Sequence, residues 1–199
     1  MKTRIKYLYN LLNSYKKILF KVIFFEIFYS IKNLEIIPLM KSHESDFATD
    51  TVPCVYYFLY EITKFVKEYK ISSVLDVGSG YGRVVNFIYD RSNIEVRGIE
   101  LDEEVFNKSL TLKRNKIKIY NSDIFDLETH KFDVDCYILI DPLKKDEDKK
   151  RLLIKIKNLK KKKFIIAVNM SEEIFSEDFV LIKSIKASDV RSLYFFKLN

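Results

Sequence analysis

The chain has 199 residues, of which 48% are hydrophobic, and it carries a formal net charge of +7. That length fits one domain, alone or with an N-terminal extension, and the hydrophobic share is normal for a globular protein with a core. The two cysteines and two histidines show no metal-ligand spacing, which argues against a zinc site.

The positive charge is concentrated in two stretches of the chain. Residues 1–45 carry eight basic and three acidic side chains, and residues 149–163 carry nine basic side chains and no acidic one. Such stretches can attract phosphate, nucleic acid or anionic lipid, but they also form ordinary solvated helix faces. The interleaved arginine and aromatic residues of an RNA-binding surface are absent from the sequence, which argues against a nucleic-acid partner.

The cysteines and histidines give little functional signal. Cys54 and Cys136 each lie within an apolar run, and the sequence shows no secretory signal, so we expect reduced core thiols in a cytoplasmic protein. His43 and His130 are possible proton acceptors, but neither has a local context that indicates catalysis.

The first predicted element is a strongly apolar helix over residues 18–31, which Lys21 and Glu26 interrupt. It is shorter than the roughly 20 apolar residues that a membrane-spanning helix needs. We expect this helix to be buried against the rest of the protein, and the alternative is a basic amphipathic helix that contacts a membrane surface. In both cases residues 1–44 form a basic helical extension ahead of a domain over residues 45–199.

A second helix is predicted over residues 52–69, where apolar residues recur at steps of three and four. Pro53 suits its first turn, with Asp50 or Thr51 as the N-cap. Strands and helices then alternate along the chain. The predicted strands are residues 73–77, 95–101, 116–120, 133–140, 164–169, 180–185 and 193–197. The predicted helices between them are residues 82–90, 103–114, 146–158 and 171–175.

This alternation predicts the fold class. Strands that are apolar on both faces and separated by helices are typical of a parallel sheet that is covered on both sides. The last two predicted strands lack a long helix between them, which indicates an antiparallel hairpin. We therefore expect an α/β fold with a doubly wound, mostly parallel, seven-stranded sheet whose last strand is antiparallel.

Three of the four glycines fall in the segment VLDVGSGYGR, residues 74–83, directly after the first predicted strand. Gly78, Gly80 and Gly82 let the backbone turn sharply and approach a ligand without Cβ atoms in the way. The helix that follows offers free N–H groups and the positive end of its dipole. The segment therefore predicts a ligand site at the carboxyl edge of the sheet.

The spacing of these glycines differs from that of two other ligand-binding loops. Nicotinamide-binding domains use G-x-G-x-x-G, whereas the second and third glycines here are only two residues apart. The pattern G-x-x-x-x-G-K-[ST] of a nucleoside triphosphate loop does not occur. A dinucleotide oxidoreductase and a P-loop enzyme are therefore disfavoured.

The segment instead resembles motif I of the class I S-adenosylmethionine-dependent methyltransferases. In that family an acidic residue and the glycine loop hold the methionine end of the cofactor. The resemblance implies S-adenosylmethionine as the cofactor, bound by Asp76, Gly78, Ser79, Gly80, Tyr81 and Gly82. Tyr81 is expected to pack over it, with simple loop packing as the alternative.

Two further acidic residues follow successive predicted strands, as this resemblance requires. Glu100 ends the second strand beside Leu101, and a carboxylate there can accept hydrogen bonds from both ribose hydroxyls. Asp123 follows the third strand, where the family commonly contacts the adenine amino group, and Ile124 can pack on the adenine face. The alternatives are an ordinary cap or surface acid at Glu100 and an ordinary turn residue at Asp123.

The fourth strand ends in YILIDP, which corresponds to motif IV beside the methyl acceptor. Methyltransferases that modify amino groups of adenine, cytosine or glutamine often have Asn-Pro-Pro-Tyr or Asp-Pro-Pro-Tyr there. This chain continues from Asp141 and Pro142 into Leu143 and Lys144, which argues against those acceptors. We predict that Asp141 is the catalytic residue that contacts the acceptor or its proton, with an Asp-Pro turn as the alternative.

Upstream, the segment DFATDTVPCVYYFLYEI is similar to a bacterial group of small methyltransferases and to Dot1-like and mitochondrial lysine methyltransferases. In those proteins a segment that contains Thr or Pro covers the cofactor. The residues that match it here are Phe47, Thr49 and Thr51.

Together these features predict an S-adenosylmethionine-dependent methyltransferase that acts on a small molecule, a glycan or a protein side chain. Protein lysine methylation is one alternative, and it depends on the upstream segment alone. The other is a non-catalytic cofactor-binding module that docks on anionic partners through its basic helices. The sequence indicates neither the acceptor nor the oligomeric state.

Overall fold

The structure, a computed structural model, describes Tyr9 and residues 11–33, 40–41, 49–161 and 163–199. Within them the helices are α1 (Leu19–Asn33), α2 (Tyr56–Glu68), α3 (Arg83–Ser92), α4 (Glu103–Leu112), α5 (Thr129–Phe132) and α6 (Asp146–Lys157). The strands are β1 (Ser73–Val77), β2 (Glu95–Glu100), β3 (Lys118–Asn121), β4 (Cys136–Ile140), β5 (Phe164–Val168), β6 (Phe179–Lys186) and β7 (Ser192–Leu198). Short 3₁₀ helices lie at Lys16–Ile18 and Glu172–Ile174.

The seven strands form one sheet in the order β3-β2-β1-β4-β5-β7-β6. Neighbours from β3 to β5 are parallel, whereas β7 is antiparallel to both β5 and β6. The predicted fold class, including the antiparallel last strand, is therefore confirmed. The chain runs outward from β1 to β3 and then returns to β4 on the other side of β1. Open α/β sheets bind ligands at such a switch point, outside the carboxyl ends of the strands.

Helices cover both faces of this sheet because the strands are apolar on both sides. One core contains Val22 of α1, Phe58 of α2 and Val85 of α3, packed with Val74 of β1. The opposite core joins Leu75 of β1 to side chains of α5 and α6. All five residues of β1 are buried, as expected for the central strand of a doubly wound sheet.

The start of α2 differs from its prediction. The helix begins at Tyr56, after an N-cap at Val55 that has an extended backbone, so Pro53 lies outside it and neither Asp50 nor Thr51 caps it. The Tyr56 N–H instead donates to Glu26 Oε1 of α1, at 2.5 Å. A cap from 30 residues away replaces the expected local cap, and a local pattern cannot reveal it.

The start of β4 also differs from its prediction. The strand begins at Cys136, because the chain just before it forms the short helix α5. Asp135 then turns into the sheet, where its Oδ2 accepts the N–H groups of Ser72 and Ser73 at 2.9 and 3.1 Å. This carboxylate joins the start of β4 to the start of β1.

The predicted N-terminal helix forms as α1 and packs on the domain through one face. Val22 and Tyr29 are buried there among side chains of α2 and α3. Between them, Glu26 Oε2 lies 2.8 Å from Arg83 Nη2, and both side chains are nearly buried. In the part of the chain that the structure describes, no helix combines the length and the apolarity needed to cross a bilayer.

Candidate active site

Four predicted acidic residues lie along the carboxyl edge of the sheet, on adjacent strands. Asp123 follows β3, Glu100 ends β2, and Asp76 lies one residue before the end of β1. Asp141 follows β4 directly. The strand order β3-β2-β1-β4 therefore places them in one row, although 65 positions separate the first from the last in the sequence, from 76 to 141.

The glycine loop occupies the bend between β1 and α3. Gly78, Gly80 and Gly82 have φ angles of 74°, 53° and 86°, in the left-handed region that side chains disfavour. The N–H groups of Gly78 and Ser79 donate to Ile99 O at 2.9 and 2.8 Å, which fastens the loop to β2. Gly82 is the N-cap of α3 and makes no side-chain cap, so the first N–H groups of that helix face the loop.

Gly80 lies at the closest approach between the loop and the upstream segment. Its N–H donates to Glu100 Oε2 at 2.8 Å. A Cβ atom on this residue would lie only 2.8 Å from Thr51 Cγ2. The threonine methyl group thus covers the glycine loop, so Thr51 lies against the segment that is predicted to bind the cofactor.

Asp76 is a buried carboxyl group without a hydrogen-bond partner. Only 1% of the residue is exposed, and neither carboxylate oxygen makes a hydrogen bond with the described residues. Burial raises the pKa of this carboxyl well above its usual value, and the nearby Glu100 carboxylate raises it further. An isolated buried carboxyl destabilises a fold unless a partner satisfies it, so Asp76 is a candidate position for binding a ligand.

Glu100 belongs to this row of carboxylates, and its side chain also accepts hydrogen bonds from backbone N–H groups. Its Oε2 accepts the Gly80 N–H, and its Oε1 accepts the Asp102 N–H at 2.9 Å. Each carboxylate oxygen has a second lone pair that can accept a further hydrogen bond. The side chain therefore retains the capacity to accept hydrogen bonds from a pair of hydroxyl groups.

The remaining predicted cofactor residues flank this row. Asp123 Oδ1 accepts the Phe125 N–H at 2.8 Å, so this carboxylate also forms the turn that was its alternative interpretation. Ile124 beside it is buried, Tyr81 is half-buried and Leu101 is exposed. All four lie in the loops that follow β1, β2 and β3, at the carboxyl edge of the sheet.

The segment before α2 lies across the same edge. Thr49 Oγ1 donates to Asp141 O at 2.6 Å. Thr51 and Lys41 exchange two backbone hydrogen bonds, and Lys41 Nζ lies 2.8 Å from Asp102 Oδ2 after β2. This segment therefore spans from β2 to β4. Phe47 and His43, named above from the sequence, lie outside the described residues.

Asp141 has a strained backbone and an ionic partner. Its φ angle is 40°, and its Oδ1 lies 2.7 Å from the Nζ of Lys149, a buried residue of α6. Left-handed backbone at a non-glycine residue costs about 1–2 kcal/mol and persists where the surroundings enforce it. The next residue, Pro142, packs against Gly78, where an added Cβ atom would lie 3.4 Å from Pro142 Cβ.

A cavity of about 400 Å³ opens at the carboxyl ends of β4 and β5. Asp141 and Asn169 line it together with Thr49 and Cys54, so it lies between these strand ends and the upstream segment. Tyr15, from the N-terminal region, and Arg191, which precedes β7, also line it. The cavity thus extends the row of carboxylates toward the outer half of the sheet.

Sequence reasoning missed two polar residues of this cavity. Asn169 directly follows β5 and has a φ angle of 58°, the same kind of backbone strain as Asp141 after β4. Its position at the end of a predicted strand could have identified it as a candidate site residue from the sequence. Arg191 precedes β7, and its Nε is buried without a hydrogen-bond partner among the described residues. No local pattern distinguishes this arginine.

Gly98 in β2 has a role that its sequence context did not indicate. A Cβ atom at this position would lie 2.8 Å from both Cβ and Oγ of the buried Ser79. We expect Gly98→Ala to lower the free energy of unfolding by about 2 kcal/mol through overpacking. Denaturant unfolding measures this loss. Ser79→Gly in the same chain should recover most of it, and a double variant as unstable as Gly98→Ala would contradict the steric explanation.

Comparison with known proteins agrees with this geometry. A family model described as a methyltransferase domain matches residues 70–192. No curated protein matches the sequence significantly.

Several solved structures share the fold. An RNA methyltransferase from Salinibacter ruber in complex with S-adenosyl-L-homocysteine has a TM-score of 0.60 at 14% identity, over 74% of this chain and 94% of that one. A magnesium protoporphyrin IX methyltransferase from Synechocystis PCC 6803 with bound SAH has a TM-score of 0.57 at 12% identity, over 71% and 82%. An N-methyltransferase from Bradyrhizobium japonicum WM9 has a TM-score of 0.52 at 9% identity, over 71% and 96%. These likenesses show the fold.

Proposed function

Because the chain belongs to the class I, S-adenosylmethionine-dependent methyltransferase family, we propose that it methylates a small-molecule acceptor held in the cavity beside Asp141. The family model covers more than half of the chain, residues 70–192. The volume of the cavity supports a small-molecule acceptor, since about 400 Å³ lies within the roughly 300–1,000 Å³ typical of small-molecule sites. In this proposal residues 45–199 form the catalytic domain and residues 1–44 an extension.

The residues at the carboxyl edge fit this cofactor. The unpartnered carboxyl of Asp76 suits the cofactor's ammonium group, and the open lone pairs of Glu100 suit ribose hydroxyls. Asp123 and Ile124 would hold the adenine. The surrounding loops would contribute Gly78, Ser79, Gly80, Tyr81, Gly82, Leu101 and Thr51. Gly80 lets the upstream segment pack closely on the glycine loop, because a side chain there would meet Thr51.

The chemistry then requires little covalent help from the protein. Bound S-adenosylmethionine supplies a methyl group on a sulfonium sulfur, which is already activated for in-line displacement. The protein's task is to position the acceptor and exclude water. Thr49 and Thr51 support that task, because they hold the upstream segment across the strand ends, against Asp141 O and Gly80.

We assign Asp141 as the residue that accepts a hydrogen bond from the acceptor's hydroxyl or amine. Lys149 holds one of its carboxylate oxygens at 2.7 Å, which orients the other for the acceptor. Arg191 also lines the cavity, and its buried Nε needs an oxygen partner. An acceptor that carries a carboxylate, phosphate or carbonyl group would satisfy it.

The acceptor class can be tested with labelled cofactor. When the protein and a methyl-labelled cofactor are added to an extract of cells that express it, we expect label in the small-molecule fraction. Label in protein would instead support the lysine-methylating alternative. Cofactor binding without any transfer would support the non-catalytic module.

A substitution that fills the cavity should separate methyl transfer from cofactor binding. Val52 lines the cavity and is 43% exposed, so Val52→Trp can narrow it without disturbing the core. We expect methyl transfer to fall at least about tenfold, which corresponds to about 1.4 kcal/mol, with cofactor affinity unchanged. Initial rates of label transfer and calorimetric titration measure the two effects.

The matched control for this variant is Val180→Trp on β6. Val180 is 47% exposed and does not line the cavity. Its substitution should leave both quantities unchanged. Equal transfer rates for Val52→Trp and the unmodified protein would show that the acceptor binds elsewhere.

A further inference from the structure

Helix α1 presents a row of large apolar side chains to solvent. Phe20 is 84% exposed and Ile31, three turns later, is 71% exposed. Steps of three and four residues place the members on one face of the helix. They are Phe20, Ile23, Phe24, Ile27, Phe28 and Ile31, and we refer to them as the apolar face of α1. A contiguous exposed patch of this kind marks an interaction surface.

The other side of α1 is docked firmly on the domain. Glu26, nearly buried, pairs with Arg83 at 2.8 Å and accepts the Tyr56 N–H. The Arg83 guanidinium also stacks 3.8 Å above the Tyr56 ring and donates to Cys54 O. These contacts fix the rotation of α1 about its axis. The apolar face therefore points outward, because these contacts hold the helix in that orientation. The Glu26 carboxylate lies on the opposite, buried side.

The charges around the apolar face have one sign. Lys16, Lys17, Lys21 and Lys32 are exposed along residues 16–33. The single acidic residue in that stretch is Glu26, which is paired on the buried side. Residues 16–33 thus combine an aromatic and aliphatic centre with exposed lysines and, within that stretch, no exposed acid. This combination is complementary to anionic lipid headgroups above an acyl layer.

We propose that the apolar face of α1 docks on an anionic lipid bilayer, with the helix lying in the plane of the interface. A helix of 15 residues is about 22 Å long, shorter than a bilayer core of about 30 Å, so it lies on the membrane. Phe24 and Phe28 enter the acyl boundary, while Lys17 and Lys21 contact the headgroups. This inference does not depend on which acceptor the protein methylates. It adds a membrane as a binding partner, which the fold by itself does not imply.

Vesicle sedimentation with the full chain tests this docking. We expect binding to vesicles that mix phosphatidylglycerol with phosphatidylcholine, and weak binding to phosphatidylcholine alone. Phe24→Glu should weaken the partitioning at least about tenfold, because a carboxylate would have to enter the apolar layer. Lys17→Ala should weaken it about fivefold at low ionic strength, and added salt should reduce that difference.

Two control variants address other surfaces. Ile154→Glu changes an apolar residue of α6 that is 60% exposed, and Lys160→Ala changes the second basic stretch. Neither should alter vesicle binding, and cofactor titration checks that each variant is folded. If Phe24→Glu does not fold, Lys17→Ala and its salt dependence still test the proposal, because that side chain is exposed.

Two results would overturn the proposal. One is vesicle binding that persists in Phe24→Glu and Lys17→Ala, because another surface would then be responsible. The other is a dimer in size-exclusion chromatography that Phe24→Glu dissociates, because a second copy of the chain would then cover the apolar face.

Discussion

Asp76→Asn is expected to weaken S-adenosylmethionine binding by about 10- to 150-fold while stabilising the cofactor-free protein. The carboxyl of Asp76 is buried without a hydrogen-bond partner among the described residues, and it lies beside Glu100. Its charge is suited to a cationic group, and a hydrogen bond to a charged group contributes about 1.5–3 kcal/mol. The neutral amide removes a buried carboxylate, so the free energy of unfolding should rise by roughly 1–3 kcal/mol.

The stability effect of this variant depends on pH. Because burial raises the pKa of Asp76, the folded cofactor-free protein binds more protons than the unfolded chain above the usual carboxyl pKa. The free energy of unfolding therefore falls as pH rises from that value to the raised pKa, and it levels off above it. Asp76→Asn should lack this fall, so its stability advantage should be small in acid and complete above the raised pKa.

The affinity for the cofactor should also depend on pH, through the protonation of Asp76. Below the raised pKa of Asp76, binding of a cationic ligand releases a proton, so affinity should decrease as pH falls. Calorimetric titration in buffers of different ionisation enthalpy measures the released proton. The control is Asp126→Asn, an exposed acid in the loop after β3, which should change neither quantity. Unchanged affinity in Asp76→Asn would remove this residue from the cofactor site.

Gly80→Ala is the second substitution with a large expected effect, a loss of about 100-fold in cofactor affinity. The residue has a φ angle of 53°, which costs an alanine about 1–2 kcal/mol. Its new Cβ atom would also lie 2.8 Å from Thr51 Cγ2, a contact that forces the loop or the upstream segment to move. Calorimetric titration of each variant with the cofactor measures the loss.

A double variant separates the two causes. Thr51→Ser removes the methyl group that a Cβ atom on Gly80 would meet and keeps the hydroxyl. Gly80→Ala with Thr51→Ser should therefore bind the cofactor about tenfold more tightly than Gly80→Ala, with only the backbone strain remaining. If the double variant binds as weakly as the single one, contact between the upstream segment and the loop is not the cause.

The row of carboxylates that follows β1, β2 and β3 was predictable from local sequence pattern. Apolar runs and the glycine spacing placed Asp76, Glu100 and Asp123 after successive strands, and all three lie at the same edge. Prediction from local pattern succeeds here because each strand, the bend after it and the next helix form one contiguous segment. A few neighbouring residues therefore specify each turn. Element boundaries were less accurate where a distant side chain intervened, as at Tyr56 with Glu26.

The cavity at the carboxyl ends of β4 and β5 was decided by contacts between distant parts of the chain. Asp141 faces Lys149 of α6 and holds Thr49 from 92 residues upstream, while Asn169 and Arg191 come from other elements. Nothing in their neighbours along the chain specifies these meetings, because they depend on how helices and loops pack over the sheet.

The sequence by itself determined the α/β fold, the glycine bend and the identity of the cofactor, since each is encoded by residues close together in the chain. Only the tertiary structure decided which side chains surround the cavity beside Asp141 and which face of α1 meets solvent. The exposed face of α1 follows from the buried pairing of Glu26 with Arg83. A buried charge requires a partner, and the position of that partner sets the orientation of the helix.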